Sequence, residues 1–256
     1  MIREIAVAKF LFVTDLDHTL VGDDQALGEL NQQLDRHREQ QGTKIVYATG
    51  RSLALYRLLL AEKHLLVPDA LIAAVGTEIY YNEGDGNPDP AWSKQLSPGW
   101  NREVVLATGA RFADLVPQPG SEQRPFKVSY HLSQEASLEV LPRLDSLLKQ
   151  RGLDIQLVYS GGRDLDILPR NGNKGLAVQF LRKVWGIDAT RTVVCGDSGN
   201  DIALLSVGEP RGIIVGNAMP ELRQWYEANQ TDYRYMAAGA CAGGILEGLK
   251  HFGFLP

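Results

Sequence analysis

The stretch Phe10–Leu20, FLFVTDLDHTL, constrains this chain more than any other. Its apolar run Phe10-Leu11-Phe12-Val13 is too short for a helix and suits a buried strand. Two carboxylates, Asp15 and Asp17, follow one residue apart, and alternate residues of an extended segment share a face. Both are then expected at the strand's C-terminal end, where open parallel sheets bind ligands. Like charges this close repel unless something cationic sits between them. Mg2+, a hard cation with oxygen ligands, suits the pair. The alternative is plainer: one Asp and Thr19 cap the next helix and the second Asp is a solvated turn residue.

The rest of the chain alternates strand and helix on either side of a different middle. Gln25–Gln41 carries leucines at 27, 30 and 34 and reads as an amphipathic helix. Lys44–Ala48 is a second strand, ending in Thr49-Gly50-Arg51-Ser52. A right-handed parallel crossover puts Thr49 beside the aspartates, where a hydroxyl and free N–H groups suit an oxyanion; the plain reading is helix capping. Helix 53–65, strand 70–75 and Gly76-Thr77-Glu78-Ile79-Tyr80-Tyr81 follow. Residues 82–100 show no period and read as a linker. Then come helix 103–115, strand 126–132, helix 135–150 and a hairpin of 155–159 with 164–168. From Pro169 the first rhythm resumes: a helix opened by Asn173-Lys174-Gly175, strand 191–195 ending in Gly196-Asp197-Ser198-Gly199-Asn200-Asp201, helix 202–207, strand 212–215, helix 219–226 and a last helix 242–252. The expected fold is α/β, a Rossmann-like parallel sheet core (1–81 and 164–256) with an inserted α+β cap domain (82–163).

Four polar clusters thus fall at ends of one sheet: Asp15/Asp17, Thr49, Lys174 and Asp197/Asn200/Asp201. Lys174 opens a helix, where the dipole prefers an anion, so it makes sense with an anion and carboxylates around it. Taken alone it would be a solvated lysine, and Asp197 and Asp201 would be helix caps. The order DLDHT, ATGR, a lone Lys and GDSGND resembles the haloacid-dehalogenase-type phosphohydrolases, and the mixed insert resembles their C2-type cap. GTEIYY (76–81), PFKVSYHL (125–132), LDILPRNGNKG (165–175) and AGGILEGLKHFGFL (242–255) resemble the sucrose-phosphate phosphatase branch.

The resemblance implies a Mg2+-dependent phosphoric monoester hydrolase. Asp15 would be the nucleophile, Asp17 the acid and base, and Thr49 and Lys174 the holders of the phosphoryl oxygens. Mg2+ would be held by Asp15, the Asp17 backbone carbonyl and Asp197, with Asp201 behind them, joined by Ser198 and Asn200. Gly50, Arg51, Lys127 and Asn200 would meet the sugar, with Tyr130, Trp92 and Arg163 as further contacts or plain cap residues. Thr19 is expected to steady its loop and His18 to be structural. The leading substrate is sucrose 6-phosphate. Alternatives are another glycosyl phosphate, such as a mannosyl- or glucosyl-glycerate type, a sugar phosphomutase, or a non-catalytic partner of the synthase that makes the sugar phosphate. That synthase is also a candidate partner of the enzyme itself.

Composition narrows the classes further. A net charge of −5 offers no positive field for nucleic acid or membrane surfaces. No apolar run nears the ~20 residues needed to span a bilayer. Arg3, Glu4 and Lys9 run into the first strand too soon for a signal peptide. Cys195 and Cys241 form no metal spacing and no disulfide framework, and Cys195, inside an apolar strand, reads as a reduced core thiol. The expectation is a cytoplasmic monomer.

Overall fold

The computed structural model describes residues 10–81 and 86–256; the charges at Arg3, Glu4 and Lys9 and the boundary at Asn82 lie outside them. The apolar run forms β1 (Leu11–Thr14), buried throughout. It lies mid-sheet, paired in parallel with β2 (Lys44–Ala48) and β9 (Thr192–Gly196), so that Val13 aligns with Val46 and Val194. Beyond β2 come β3 (Ala70–Ala73), parallel, and β4 (Glu78–Tyr81), antiparallel. Beyond β9 come β10 (Arg211–Ile214) and β11 (Arg234–Met236), both parallel. The doubly covered sheet explains the near-continuous apolar runs in its strands.

Helices pack on both faces. On one, α1 (Asp24–Gln41) and the last helix, α9 (Cys241–His251), bury Leu27, Leu30, Leu34, Ile245 and Leu249 with Phe12 and Tyr47. On the other, α6 (Lys174–Trp185) and α7 (Ile202–Ser206) pack Ala177, Leu181 and Leu204 against Leu11, Val13 and Val194. The expected α/β core is what the chain forms.

The insert is a four-stranded antiparallel sheet, ordered β5 (Val116–Pro117), β6 (Val128–His131), β8 (Asp164–Pro169) and β7 (Ile155–Ser160). It carries α4 (Arg102–Gly109) and α5 (Gln134–Gln150), whose Val105, Val140, Leu144 and Leu148 build a separate apolar core. The seams differ from the sequence reading. The strand at 164–169, placed there on the core side, pairs with both β6 and β7. Residues 86–100, read as linker, contain α3 (Pro90–Leu96), capped by Asp89, whose carboxylate accepts from Trp92 N. Two Pro-Asp/Asp-Pro steps hide this helix from a periodicity search, though Asp before Pro is itself a helix start. Trp92 and Leu96 are buried in the main core, so that core runs on to Leu96. β11 also escaped notice, being three half-buried residues long.

Candidate active site

β1, β2 and β9 stop at the same edge, and their next residues are Asp15, Thr49 and Asp197. Asp15 N donates to Cys195 O at 3.0 Å and Thr49 N to Ile72 O at 2.8 Å, so the ladder continues past each strand and fixes both side chains. Lys174 arrives from α6, N-capped by the Asn173 side chain, which accepts from Leu176 N at 2.9 Å. A Cβ on Gly175 would lie 2.0 Å from Ala203 O; without one, α6 settles against α7 and Lys174 reaches Asp201.

Lys174 is 0% exposed, and its Nζ lies 2.7 Å from both Asp15 Oδ1 and Asp201 Oδ1. Asp201 Oδ2 accepts from Asp197 N and Ser198 N at 3.0 and 3.2 Å, which occupies both its oxygens. Thr19 Oγ1 donates to Asp197 Oδ1 at 3.0 Å. Ligand atoms of Asp15, Asp197 and Asp201 all lie within 4.8 Å of one another. Burial drives Asp15 well above the ordinary carboxylate range despite Lys174, with Asp201 and Asp197 adding to the rise. Burial, reinforced by Asp201, pushes Asp197 up to about 6. Burial also disfavours the Lys174 charge, but Asp15 and Asp201 outweigh it and hold the ammonium. Three buried carboxylates against one ammonium leave negative charge uncompensated, and the all-oxygen donor set suits a hard divalent cation. Asp15 and Asp197 fit as direct ligands, while Asp201, doubly engaged, fits as their support.

Asp17 departs from this cluster. Its carboxylate turns to Arg51, which donates from Nε and Nη2 at 2.7 Å each in a two-pronged pair. Both Asp17 carboxylate oxygens are thus engaged with Arg51 and not with the cluster. Arg51, expected to meet the sugar, is engaged with Asp17, and its own pKa is raised, chiefly by that hydrogen bond. Gly50 and Asn200 line the same cavity.

The cavity, about 450 Å³, lies between the two sheets. From the core it takes Asp15, Asp17, Arg51, Asp197 and Asn200; from the insert, Gln118, Glu122, Lys127, Asp164 and Asp166. Lys127 is buried and its Nζ reaches Glu122 at 3.3 Å, Asp166 at 3.5 Å and Gly50 O at 3.4 Å, bridging insert and core. Glu122 Oε1 and Asn200 Oδ1 are buried without a hydrogen-bond partner among the described residues. Two further contacts bring the units together: Arg124 pairs with buried Glu78 at 2.8 Å, and Gly161 N donates to Glu221 Oε1 at 3.3 Å. A wider surface groove, about 590 Å³ and lined by Gln32, Gln33, Arg36 and Lys250, stands apart from these groups.

Several side chains lie away from their expected places. Trp92 is buried in the core, with Nε1 on Gly76 O at 3.1 Å, and is no sugar contact. Tyr130 is buried among the insert's apolar residues, the plain cap-residue alternative. Thr19 does more than steady a loop, since it holds Asp197. Glu122 and Asp166 were missed, because a lone acid, in a polar segment for Glu122 and in a largely apolar strand for Asp166, carries no sequence signal before its lysine partner is located. His18, at φ 58, gives its carbonyl to Asn217 Nδ2. Cys195 lies in the buried strand β9, as expected, and Cys241 is also buried. Among the described residues no helix is long and apolar enough to cross a membrane.

The family model for sucrose-6F-phosphate phosphohydrolase matches residues 8–253. Sucrose-phosphatase 1 of Nicotiana tabacum is 38% identical over 98% of this chain, and the chain spans 61% of that protein's length. Mannosylfructose-phosphate phosphatase of Agrobacterium fabrum is 32% identical over 96% of this chain and 98% of its own. The structure of the sucrose-phosphatase from Synechocystis sp. PCC6803, in complex with sucrose and phosphate, superimposes with a TM-score of 0.89 at 41% identity, covering 96% of this chain and 98% of that one.

Proposed function

The chain belongs to the sucrose-6F-phosphate phosphohydrolase family, and on that premise we propose that it is a phosphatase that hydrolyses sucrose 6-phosphate to sucrose and phosphate. The observation that carries this reading is Asp15, lining the floor of a cavity roofed by polar residues of the insert and backed by the wholly buried Lys174 ammonium, which is clamped between it and Asp201. Such a floor suits a phosphoryl group and such a roof suits hydroxyls. The Synechocystis neighbour, solved with sucrose and phosphate, supports the same assignment.

Asp15 attacks phosphorus in line, its carboxylate oxygen forming the new P–O bond as the bond to the sugar oxygen breaks. Thr49 and Lys174 hold the non-bridging oxygens, and Lys174 offsets the charge that spreads over them. Asp17 gives its proton to the departing sugar oxygen, then takes one from the water that attacks the aspartyl-phosphate and frees phosphate. Both Asp17 oxygens accept from Arg51 in this arrangement, so the carboxylate must turn from that pair to serve in either transfer. Mg2+, held by the Asp15 and Asp197 carboxylates and the Asp17 carbonyl with Asp201 in support, would supply further neutralising charge at the phosphoryl oxygens. Lys127, Glu122 and Asn200 read the sugar hydroxyls, the last two through acceptor oxygens that a ligand hydroxyl would satisfy.

A second reading, another disaccharide or glycosyl phosphate, is favoured by the likeness to the mannosylfructose-phosphate enzyme along nearly its whole length. The test is phosphate release with Mg2+ from sucrose 6-phosphate, mannosylfructose phosphate, mannosyl- and glucosyl-glycerate phosphates, trehalose 6-phosphate and glucose 6-phosphate. A kcat/KM lead of ~100-fold for sucrose 6-phosphate, about 2.7 kcal/mol of differential transition-state binding, establishes it as the substrate. A comparable lead for another sugar moves the assignment there, and release from none refutes the phosphatase reading.

A further inference from the structure

The GTEIYY segment has no part in the chemistry above, yet its first residues close an unusual stretch of backbone. Ala74, Val75 and Gly76 run consecutively at φ 51, 59 and 95. A β-branched residue in the left-handed region is a genuine outlier, and such conformations persist only where their surroundings over-determine them. Joining β3 to β4 does not require this, since hairpins have standard turns of their own. The turn instead directs its N–H groups elsewhere: Ala74 N donates to Arg51 O at 2.9 Å and Val75 N to Thr49 O at 3.1 Å.

Its other side touches the second phosphate holder. A Cβ on Gly76 would lie 2.1 Å from Asn173 C and 2.3 Å from Lys174 N, so the turn's backbone rests directly on the start of α6. Trp92 Nε1 fixes Gly76 O at 3.1 Å, and Thr77 Oγ1 closes the turn on Ala74 O at 2.8 Å. The whole turn is buried. We propose that residues 74–77 form a positioning element for phosphoryl transfer, a spacer that sets the distance between the Thr49-Gly50-Arg51 loop and Lys174. The inference rests on the reading that Thr49 and Lys174 hold the phosphoryl group. It makes Gly76 and Thr77 positioning residues, acting through backbone, and accounts for a left-handed glycine at a site where any side chain would displace Lys174.

The experiment compares Gly76→Ala, Thr77→Val and Thr77→Ser with the unmodified protein. Readouts are kcat and KM on sucrose 6-phosphate and p-nitrophenyl phosphate, inorganic phosphate affinity by calorimetry with Mg2+, and Tm. A methyl at 76 needs more than 1 Å of movement at Asn173–Lys174 to reach ordinary contact. A misplacement of that size costs kcat on the order of 100-fold. The loss should be the same for both substrates, because they share only the phosphoryl group, and phosphate affinity should fall with it. Thr77→Val keeps the volume and should lower kcat about 10-fold with Tm nearly unchanged, a milder displacement of the same kind. Thr77→Ser, which restores the hydroxyl, should recover most of that loss. If Gly76→Ala does not fold, the Thr77 pair decides. Folded variants with unaltered kcat and phosphate affinity overturn the proposal, as does a valine loss that serine fails to recover. An unmodified protein that binds phosphate but hydrolyses neither substrate refutes the phosphatase reading instead, and phosphate affinity in the variants then decides the spacer.

Discussion

Lys174→Met keeps a long unbranched side chain and removes only the ammonium. Lys174 is wholly buried, with Nζ 2.7 Å from both Asp15 and Asp201. Deleting one partner of a buried pair costs about 3–5 kcal/mol, because the remaining charge stays buried and unpaired. For a chain of this length each kcal/mol moves Tm by roughly 2–4 °C, so the metal-free variant should melt ~10 °C lower near neutral pH. Burial already holds Asp15 above the ordinary carboxylate range and Asp197 at about 6, and losing the ammonium raises both further. Carboxylates with raised folded-state pKa destabilise the fold above that pKa and cease to do so once protonated. The Tm deficit should therefore shrink as pH falls from about 8 to about 5. Mg2+ restores positive charge to the cluster, so saturating Mg2+ should raise the variant's Tm more than that of the unmodified protein. Calorimetry at both pH values, with and without Mg2+, reads each effect. A deficit that is constant in pH, with equal Mg2+ gains in both proteins, would show that the lysine acts through packing and refute the charge argument.

Asp15→Asn should leave the fold intact and abolish turnover, since an amide does not attack phosphorus; retained activity would remove the covalent step. Asp17→Asn should lower kcat by about 100- to 10,000-fold for a sugar leaving group, and less for p-nitrophenolate, which departs without a proton. Equal losses would take proton transfer away from Asp17. Lys127→Ala should raise KM for sucrose 6-phosphate far more than for p-nitrophenyl phosphate; equal effects would place Lys127 outside the sugar site. In metal-free protein, Asp197 favours the fold below its ordinary pKa and loses that contribution as pH rises through about 6, about 3 kcal/mol in all. Tm without metal, corrected with Asp197→Asn, should fall across that interval, and a flat difference would contradict it.

The strand-end polar residues were legible because chemistry and periodicity coincide there: Asp15, Thr49 and Asp197 each follow an apolar run, and parallel pairing brings such ends together. Lys174 was legible only in company, since nothing local distinguishes it from a surface lysine. What stayed hidden depends on partners distant in sequence. Arg51 beside Thr49 looked free for a sugar, and only side-chain geometry shows it spent on Asp17, 34 residues away. Glu122 and Asp166 acquire meaning from Lys127, and Trp92 is a core residue because α3 folds back under Gly76. The seam at 163/164 split a hairpin because the change of rhythm comes a strand later, after Pro169.

The insert leaves the core sheet after α3 and returns just ahead of Lys174. Lys174 and Asp15 are 159 residues apart in the chain yet joined side chain to side chain. Closing a chain segment costs entropy that grows only with the logarithm of its length, about 0.6 kcal/mol for each doubling. An excursion of any reasonable size between those two points is thus nearly free for the core. The same core floor can carry roofs of quite different length and architecture, which makes this seam the natural place to exchange one roof for another while leaving the floor in place.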